Sequence, residues 1–418
     1  MSIQRPRIAI IGAGPIGLEA ALAATERGLS FLVYEAGDAV GADVRRWGRV
    51  RTFTPWDMNV SERARAALGA AAPSGAGLPT GDELAACLLD PLARTQPLAG
   101  RIRLGTRVLA VGREGLLKHE AIGSEDRAAR RFRLLVQSPE GDETIEHADA
   151  VIDCSGTYGN PNHLGDGGIP APGESDFEPR IVRYLPVLED EPAAWAGRTV
   201  LLTGAGHSAQ TAARGFAAFA RHAPRTRVVW AVRNPRPEWG AVSGDPLHER
   251  AALSRAAAEI AGGASTAIDL LPGTVTESLS GDGDRVAVAL RNGGLESVSV
   301  DRILSLNGGV GDESIYRQLQ VHECYATCGP MRLASALLAD AGGECLDQVS
   351  HGPETLANPE PGFFILGAKS YGRNSQFLLS IGWRQVSDVF ESLLVPDRRG
   401  GVGGVRGQLA AQRRTSPA

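Results

Sequence analysis

Lysine is almost missing from this chain: of its 43 basic residues only Lys118 and Lys369 are lysines. That arginine bias, with an excess of alanine, reads as the mark of a GC-rich genome and carries no functional weight. Acidic residues outnumber basic ones, 48 to 43, so there is no general basic field to attract nucleic acid. No apolar run approaches the ~20 residues a membrane helix needs. The N-terminal stretch Ile8–Ile11 is too short for the core of a signal peptide. The expectation is a soluble cytoplasmic protein with no nucleic-acid or membrane partner. Cysteine is sparse and scattered, at positions 87, 154, 324, 328 and 345, and no CxxC occurs. A disulfide scaffold is thereby excluded. Cys87 and Cys154 read as core. Cys324 and Cys328 would share one helix face if their region is helical; they could be a redox pair or metal ligands, though two isolated cysteines make a poor metal site, and buried thiols are the plainer reading.

Glycine is what the chain has in excess. It supplies 52 of 418 residues, about 12% against a typical ~7%. Such a surplus means either low complexity or many places where backbone must turn tightly or approach a ligand. At about 150 residues per domain the length suggests two to three domains.

Residues 7–35 compose a complete βαβ unit: the apolar strand RIAII, the turn GAGPIG, a helix with Leu18 and Leu22 on one face, and the strand FLVYE. Residues 38–79 are irregular. Thr80 and Glu83 then have capping-box spacing ahead of a helix. Residues 101–152, with RIRL, RVLAV, FRLLV and AVIDC, read as a small antiparallel meander ending in a buried strand. A second unit of the first kind begins at Arg198: RTVLLT, GAGHSA, QTAARGFAAFARH and RVVWAVR. Further on, 312–342 reads as helical with a break, 361–368 as a buried strand, and the stretch from Ser375 as a long helix. From Pro396 the chain lacks periodicity, and a disordered tail is expected.

Both glycine turns have the context a dinucleotide fingerprint requires. In the first, Gly12 permits the tight turn, Gly14 lets backbone approach a pyrophosphate, and Gly17 lets helix pack on strand; Ala13, Pro15 and Ile16 complete the loop. Glu35, ending the next strand, can accept hydrogen bonds from both hydroxyls of an unphosphorylated ribose. In the second, Gly204, Gly206 and Ala209 form GxGxxA, with His207 and Ser208 inside the turn. Its strand ends at Arg233, with Arg236 close by and no acid in between. A guanidinium there can bind a 2′-phosphate that a carboxylate would repel. The residues therefore favour NADPH over NADH, a solvated strand-end arginine being the alternative.

Two such units, one for an unphosphorylated ribose and one for a 2′-phosphate, point to FAD plus NADPH. On these residues the chain resembles the two-dinucleotide-binding-domain flavoproteins, the superfamily of flavin-containing monooxygenases and pyridine nucleotide-disulfide oxidoreductases. Four stretches in order carry the resemblance across residues 7–395: GAGPIG with Glu35, DCSGTYGNP (153–161), GAGHSA, and GFFILGA with its following helix. It implies an α/β fold of two Rossmann-like dinucleotide-binding domains, the NADPH domain inserted into a discontinuous FAD domain that carries a small antiparallel β-meander. The boundaries expected are 1–155 and 305–395 for the FAD domain, 156–304 for the NADPH domain, and 396–418 for the tail.

The resemblance further implies an oxidoreductase. The monooxygenase branch fits better, through the hinge Ser155–Gly156–Thr157, the GxGxSA form of the second turn and the Trp-rich stretch after the first unit. The chain departs from that branch in having PRIVRYLPV where FxGxxxH is usual, and GAKS where the superfamily generally has Gly–Asp. In this reading a flavin hydroperoxide oxygenates a small soft nucleophile, an amine or thioether, with dioxygen as co-substrate. The alternatives are a NADPH-dependent reductase of a disulfide, quinone or carrier protein, and a low-turnover nucleotide-binding flavoprotein. Catalytic residues are not identified. By analogy with the family layout, Trp47, Arg51, Trp56 and Asn374 are candidates near the flavin, and Ser155, Gly156, Gly367 and Ser370 join the cofactor-binding set. Lys369 reads as solvated, Tyr158 as channel lining or core. No metal site is expected, and a homo-oligomer is compatible with all of this.

Overall fold

The computed structural model describes residues 7–340 and 350–394. The expected tail 396–418 and Cys345 lie outside the described residues. The chain forms two compact units: one takes in the residues up to Gly48, Thr54–Asn160 and those from Val310 onward, the other Arg49–Phe53 and Pro161–Gly309.

The first unit is built on a parallel sheet in the order Phe363–Ile365, Ala150–Asp153, Arg7–Ile11, Ser30–Tyr34, Ile102–Arg103. Ile8 pairs with Phe31 and Ala150, and Ile10 with Val33 and Ile152. Side chains alternate across a strand, and the two faces of Arg7–Ile11 serve two cores. Ile8 and Ile10 pack under helix Pro15–Glu26, whose Leu18, Ala20, Ala21, Ala23 and Ala24 are fully buried. That run of alanines lets the helix lie close to the sheet and to helix Leu379–Leu394. Ala9 and Ile11 face the other way, toward Val108, Phe132, Leu134 and Val136 of an antiparallel meander, Arg107–Arg113, Phe132–Gln137 and Glu143–Ala148.

The second unit repeats this plan. Its parallel sheet runs Ile268–Pro272, Arg227–Val232, Thr199–Thr203, Arg302–Ser305, Ile181–Val182. Val200 and Leu202 face helix His207–Phe219 through Ala209, Ala213 and Phe216. Leu201 and Ile303 face Val286, Val288 and Leu290 of a second antiparallel three-stranded sheet, Val275–Asp282, Arg285–Asn292 and Gly294–Val300.

Several local expectations change. RIRL is not meander: Ile102–Arg103 extends the parallel sheet beside Val33 and Tyr34. Of the stretch 312–342, the described residues 312–340 are mostly not helical. A single 3-10 turn, Ser314–Tyr316, precedes helix Met331–Ala339, and Cys324 and Cys328 lie in the turn between them. That stretch holds Gly329 and Pro330, which break any helix reading it otherwise allows. The last helix starts at Leu379, because residues 374–376 form an Asx turn in which Asn374 Oδ1 accepts from Gln376 N at 2.9 Å. Cys87 is exposed rather than core, and half-buried Cys154 sits just past the end of its strand. The capping box is present: Thr80 Oγ1 accepts from Glu83 N, and Thr80 N donates to Glu83 Oε2 at 2.7 Å.

A buried ionic triad fastens the meander to the last strand of the parallel sheet. Glu360 accepts from Arg127 Nη2 and Arg113 Nε, each at 2.7 Å, and from Gln320 N at 2.8 Å. All three charged side chains are buried. Burial alone would raise the carboxyl's pKa, but the Arg127 guanidinium, the Gln320 amide and Arg113 outweigh it and hold it below its ordinary value. Glu360→Gln should therefore lower unfolding free energy by about 3 kcal/mol at pH 7, since it strands two buried guanidinium groups. A depressed folded pKa stabilises above the unfolded value of about 4.3 and ceases to as pH falls through the folded one. Urea titrations across pH should show wild type and variant converging at acid pH; a constant gap would exclude this ionic origin.

Candidate functional site

The two glycine turns are built alike, each joining a buried strand to the N-terminus of a long helix. At Gly12 the backbone has φ +95°, and an added Cβ would stand 2.7 Å from Cys154 O. A Cβ on Gly17 would stand 1.9 Å from Gly12 O, so helix and turn touch through glycine alone. Gly14 differs: a Cβ there would meet nothing within 4 Å. Gly14 caps helix Pro15–Glu26 with no side-chain hydrogen bond and no acid in the first turn. The first amides of a helix have no partner within it and carry partial positive charge. In the second unit a Cβ added to Gly204 (φ +109°) would stand 2.3 Å from Leu306 O, while one on Gly206 would again meet open space. Helix His207–Phe219 likewise has neither a side-chain cap nor a first-turn acid. Open backbone at an uncapped, acid-free helix end is where an anion fits.

What borders each turn sets its character. Glu35 follows strand Ser30–Tyr34 directly; its Oε2 accepts from Ala13 N at 2.7 Å and its Oε1 from Gly37 N at 2.8 Å. Burial raises its pKa against those two amides. The carboxylate thus anchors the turn, and each oxygen keeps a lone pair for a further donor. Ile16 is buried under Gly367 and Gly382, whose added Cβ atoms would lie 3.2 and 2.2 Å from its side chain. In the second turn, Trp230 Nε1 donates to Gly204 O at 2.8 Å, and Gln210 Nε2 to Ala205 O at 2.9 Å. Buried Ala209 and half-buried Ser208 follow His207 in the helix. The His207 ring meets Phe53 edge-on, with centroids 5.0 Å apart. Burial and nearby Arg250 hold its pKa below the ordinary value, with Asp245 opposing. Arg233 and Arg236, just beyond strand Arg227–Val232, are exposed. Neither makes an ion pair with a described residue.

The segment at 153–156 carries a feature the sequence reading missed. Lys369, expected in solvent, is fully buried: its Nζ donates to Asp153 Oδ2 at 2.7 Å, Ser155 Oγ at 3.1 Å and Asp312 O at 2.7 Å. Ser155 in turn donates from Oγ to Asp153 Oδ1 at 2.7 Å. Gly311 is needed beside it, because a Cβ there would lie 2.3 Å from Lys369 Cγ. An acid inside the apolar run AVIDC was the available signal, for a buried carboxylate demands a partner. Gly156 (φ +72°) has open space around its Cα.

The remaining candidates scatter. Ser370 is buried, its Oγ donating to Gly367 O at 2.8 Å and accepting from Gln385 Nε2 at 2.9 Å, so its side chain belongs to an internal clamp. Gln385 Oε1 accepts from Gly367 N at 2.9 Å. Trp47 and Trp56 are half-buried against the core of the first unit, whereas exposed Arg51 falls in the segment Arg49–Phe53 of the second. Asn374 is half-buried in its Asx turn. Tyr158 is exposed, 44% of its surface being open, and is not core.

Comparison with known proteins agrees with this architecture. A family model described as an NAD(P)-binding Rossmann-like domain matches residues 10–70, from the end of the first strand through the turn, helix Pro15–Glu26 and strand Ser30–Tyr34. Curated protein sequences give no match. Among solved structures, a bacillithiol disulfide reductase from Bacillus cereus superposes with TM-score 0.67 at 18% identity, over 93% of this chain and 98% of that one. A Kutzneria ornithine N-hydroxylase, solved with reduced FAD, NADP+ and L-ornithine, gives 0.59 at 14% identity over 93% and 99%. A thioredoxin reductase from T. acidophilum gives 0.57 at 16% identity over 92% and 97%. The chain shares their fold along nearly its whole length.

Two outcomes follow for the ligand-free protein. Gly14→Ala should leave the melting temperature nearly unchanged, while Gly17→Ala should lower it by several degrees, because only the latter forces backbone apart. Equal effects in thermal melts would contradict the packing described. Lys369→Met, which strands buried Asp153, should cost about 3–5 kcal/mol. Adding Asp153→Asn should restore part of it in a double-mutant cycle; additive losses would deny the pairing.

Proposed function

We propose that this protein is an FAD-dependent NADPH oxidoreductase. The observation that carries the reading is the pair of uncapped, acid-free helix N-termini behind open glycines, Gly14 and Gly206, one beside a carboxylate and the other beside two exposed arginines. The first turn would hold FAD. Its helix amides meet the pyrophosphate, and Glu35, already fixed by Ala13 and Gly37, accepts from the ribose hydroxyls. The second would hold NADPH, its helix amides and Ser208 at the pyrophosphate and Arg233 with Arg236 at the 2′-phosphate. A nearly neutral His207 adds a donor there without excess charge.

Within that class the reading we favour is a monooxygenase of a small amine or thioether. The flavin, when bound, supplies acceptance of hydride from NADPH and delivery of the electron pair to dioxygen. The chain's part is to bind, orient and exclude water. Cys154, whose backbone lies against Gly12, is a poor thiolate: burial and the Asp153 charge push its pKa well up, with Lys369 opposing. A dithiol relay at that position is thereby disfavoured.

Rapid mixing tests the proposal. NADPH should bleach the flavin of the purified protein anaerobically, and air-saturated buffer should restore it, with an amine or thioether gaining oxygen. Restoration by quinones or disulfides, and hardly by air, would make it a reductase; no bleaching at all would leave a nucleotide-binding protein with little turnover. Arg233→Ala should raise KM for NADPH about tenfold or more, for charge-assisted hydrogen bonds of roughly 1.5–3 kcal/mol, and change that for NADH little. Equal changes would sink the phosphate assignment.

A further inference from the structure

The turn Cys324–Gly329 has no part in the function proposed above, and its construction is unusual. Glu323 and Pro330 pair as an antiparallel bridge, and Cys324 N donates to Gly329 O at 2.8 Å. The four residues between are therefore a hairpin loop whose last member, Cys328, has φ +60°. That left-handed position suits glycine or asparagine and costs other residues roughly 1–2 kcal/mol. A glycine stands next in sequence, at 329, yet the left-handed residue is the cysteine. Backbone strain of this kind, held by its surroundings, is a pointer to function. The strain has a geometric result. Cys328 N donates to Cys324 O at 2.9 Å, and covalent dimensions then limit the separation of the two Cα atoms to about 6.8 Å, within the range disulfides span.

The two thiols are chemically unequal. The Thr327 side chain and the backbone of Thr327 and Ala326 hold the Cys324 thiol below its ordinary pKa, with burial opposing. A lowered pKa favours the thiolate, the form that reacts, and the turn places Cys328 within reach of it. Cys324 is 5% exposed, while Tyr325 beside it is 96% exposed and Ala326 is exposed too. Cys328 is half-buried. The other described thiols lack this arrangement, Cys87 lying exposed on a helix and Cys154 being held protonated.

We infer that Cys324 and Cys328 form a reversible disulfide within this turn, a thiol redox site driven by hydrogen peroxide. The Cys324 thiolate attacks one peroxide oxygen, the O–O bond breaks, and hydroxide leaves and takes a proton to become water. The product is a sulfenic acid at Cys324. The Cys328 thiol then attacks that sulfur, the S–O bond breaks and a second water leaves. In sum two thiols lose two electrons and two protons, and one peroxide becomes two waters. A small thiol reverses the bond by exchange. The turn also has a route to the rest of its unit: Arg373 N donates to Thr327 O at 2.7 Å, and a Cβ on Gly372 would lie 2.0 Å from that same oxygen. Closing the disulfide would load the loop directly after Gly367–Tyr371. The inference does not depend on bound flavin, and would stand if the cofactor assignment failed.

The test uses the native full-length protein, exposed to graded hydrogen peroxide at pH 7, alkylated and measured as intact mass and as peptides. The expected result is loss of two alkylatable thiols with a 2 Da decrease, a 324–328 linkage in the peptide map, and full recovery with dithiothreitol. Cys87 and Cys154 should still alkylate at that peroxide level. In Cys328→Ser the reaction should stop at Cys324, trapped by dimedone as a sulfenic acid. The inference is overturned if both cysteines stay alkylable while others oxidise, if Cys324 oxidises with Cys328 left free in the wild type, or if either links to a different cysteine.

Discussion

The first unit depends on one buried ammonium group. From its own segment after the last strand, Lys369 reaches two stretches far away in sequence, donating from Nζ to Asp153 and Ser155 and to the Asp312 carbonyl. A buried lysine is tolerable only when every proton on it is met. Asp153, Ser155 and the Asp312 carbonyl meet all of them, and Gly311 gives way for the stem. The same contacts fix where strand Ala150–Asp153 ends, and with it the carbonyl of Cys154 against which Gly12 turns. The first glycine turn and the C-terminal segment are therefore set by a common ionic anchor.

Around that anchor, one structural plan is used twice and diverges by charge. In both units a parallel sheet carries its helix on one face and an antiparallel three-stranded sheet on the other. In both, glycine lets backbone touch backbone below the turn and leaves it open above. The shared geometry makes each helix end receptive to an anion, whatever the anion is. Discrimination falls to the residue past the second strand. Glu35 is buried and tied into its turn, while Arg233 and Arg236 stand free of described ion partners. A fixed carboxylate suits hydroxyl donors, and exposed guanidinium groups suit a phosphate.

Legibility in the sequence followed the range of the interaction concerned. The strand–turn–helix units were readable because a buried strand, a glycine turn and a helix face each leave a local pattern. The Thr80–Glu83 box was readable for the same reason, being complete within four residues. The region 312–342 was misread because apolar spacing there reflects loops packed on a core and not a helix face. Cys87 was misread because its helix exposes that side. Lys369 was read as solvated because the usual fate of a lysine is water, and its true partners lie 216 residues away at Asp153 and 57 away at Asp312.

The sequence by itself determined the two glycine turns, the alternation that gives each first strand two faces, and the opposite charges at Glu35 and Arg233. These are properties of adjacent residues, fixed by backbone sterics and side-chain periodicity before any long-range contact forms. Only the tertiary structure decided which glycines are filled and which stay open. Whether a Cβ would meet a carbonyl or empty space depends on chain arriving from elsewhere, Cys154 over Gly12 and Leu306 over Gly204. It alone also decided that Lys369 is an anchor, that Ser370 is a clamp, and that Cys324 and Cys328 share a turn.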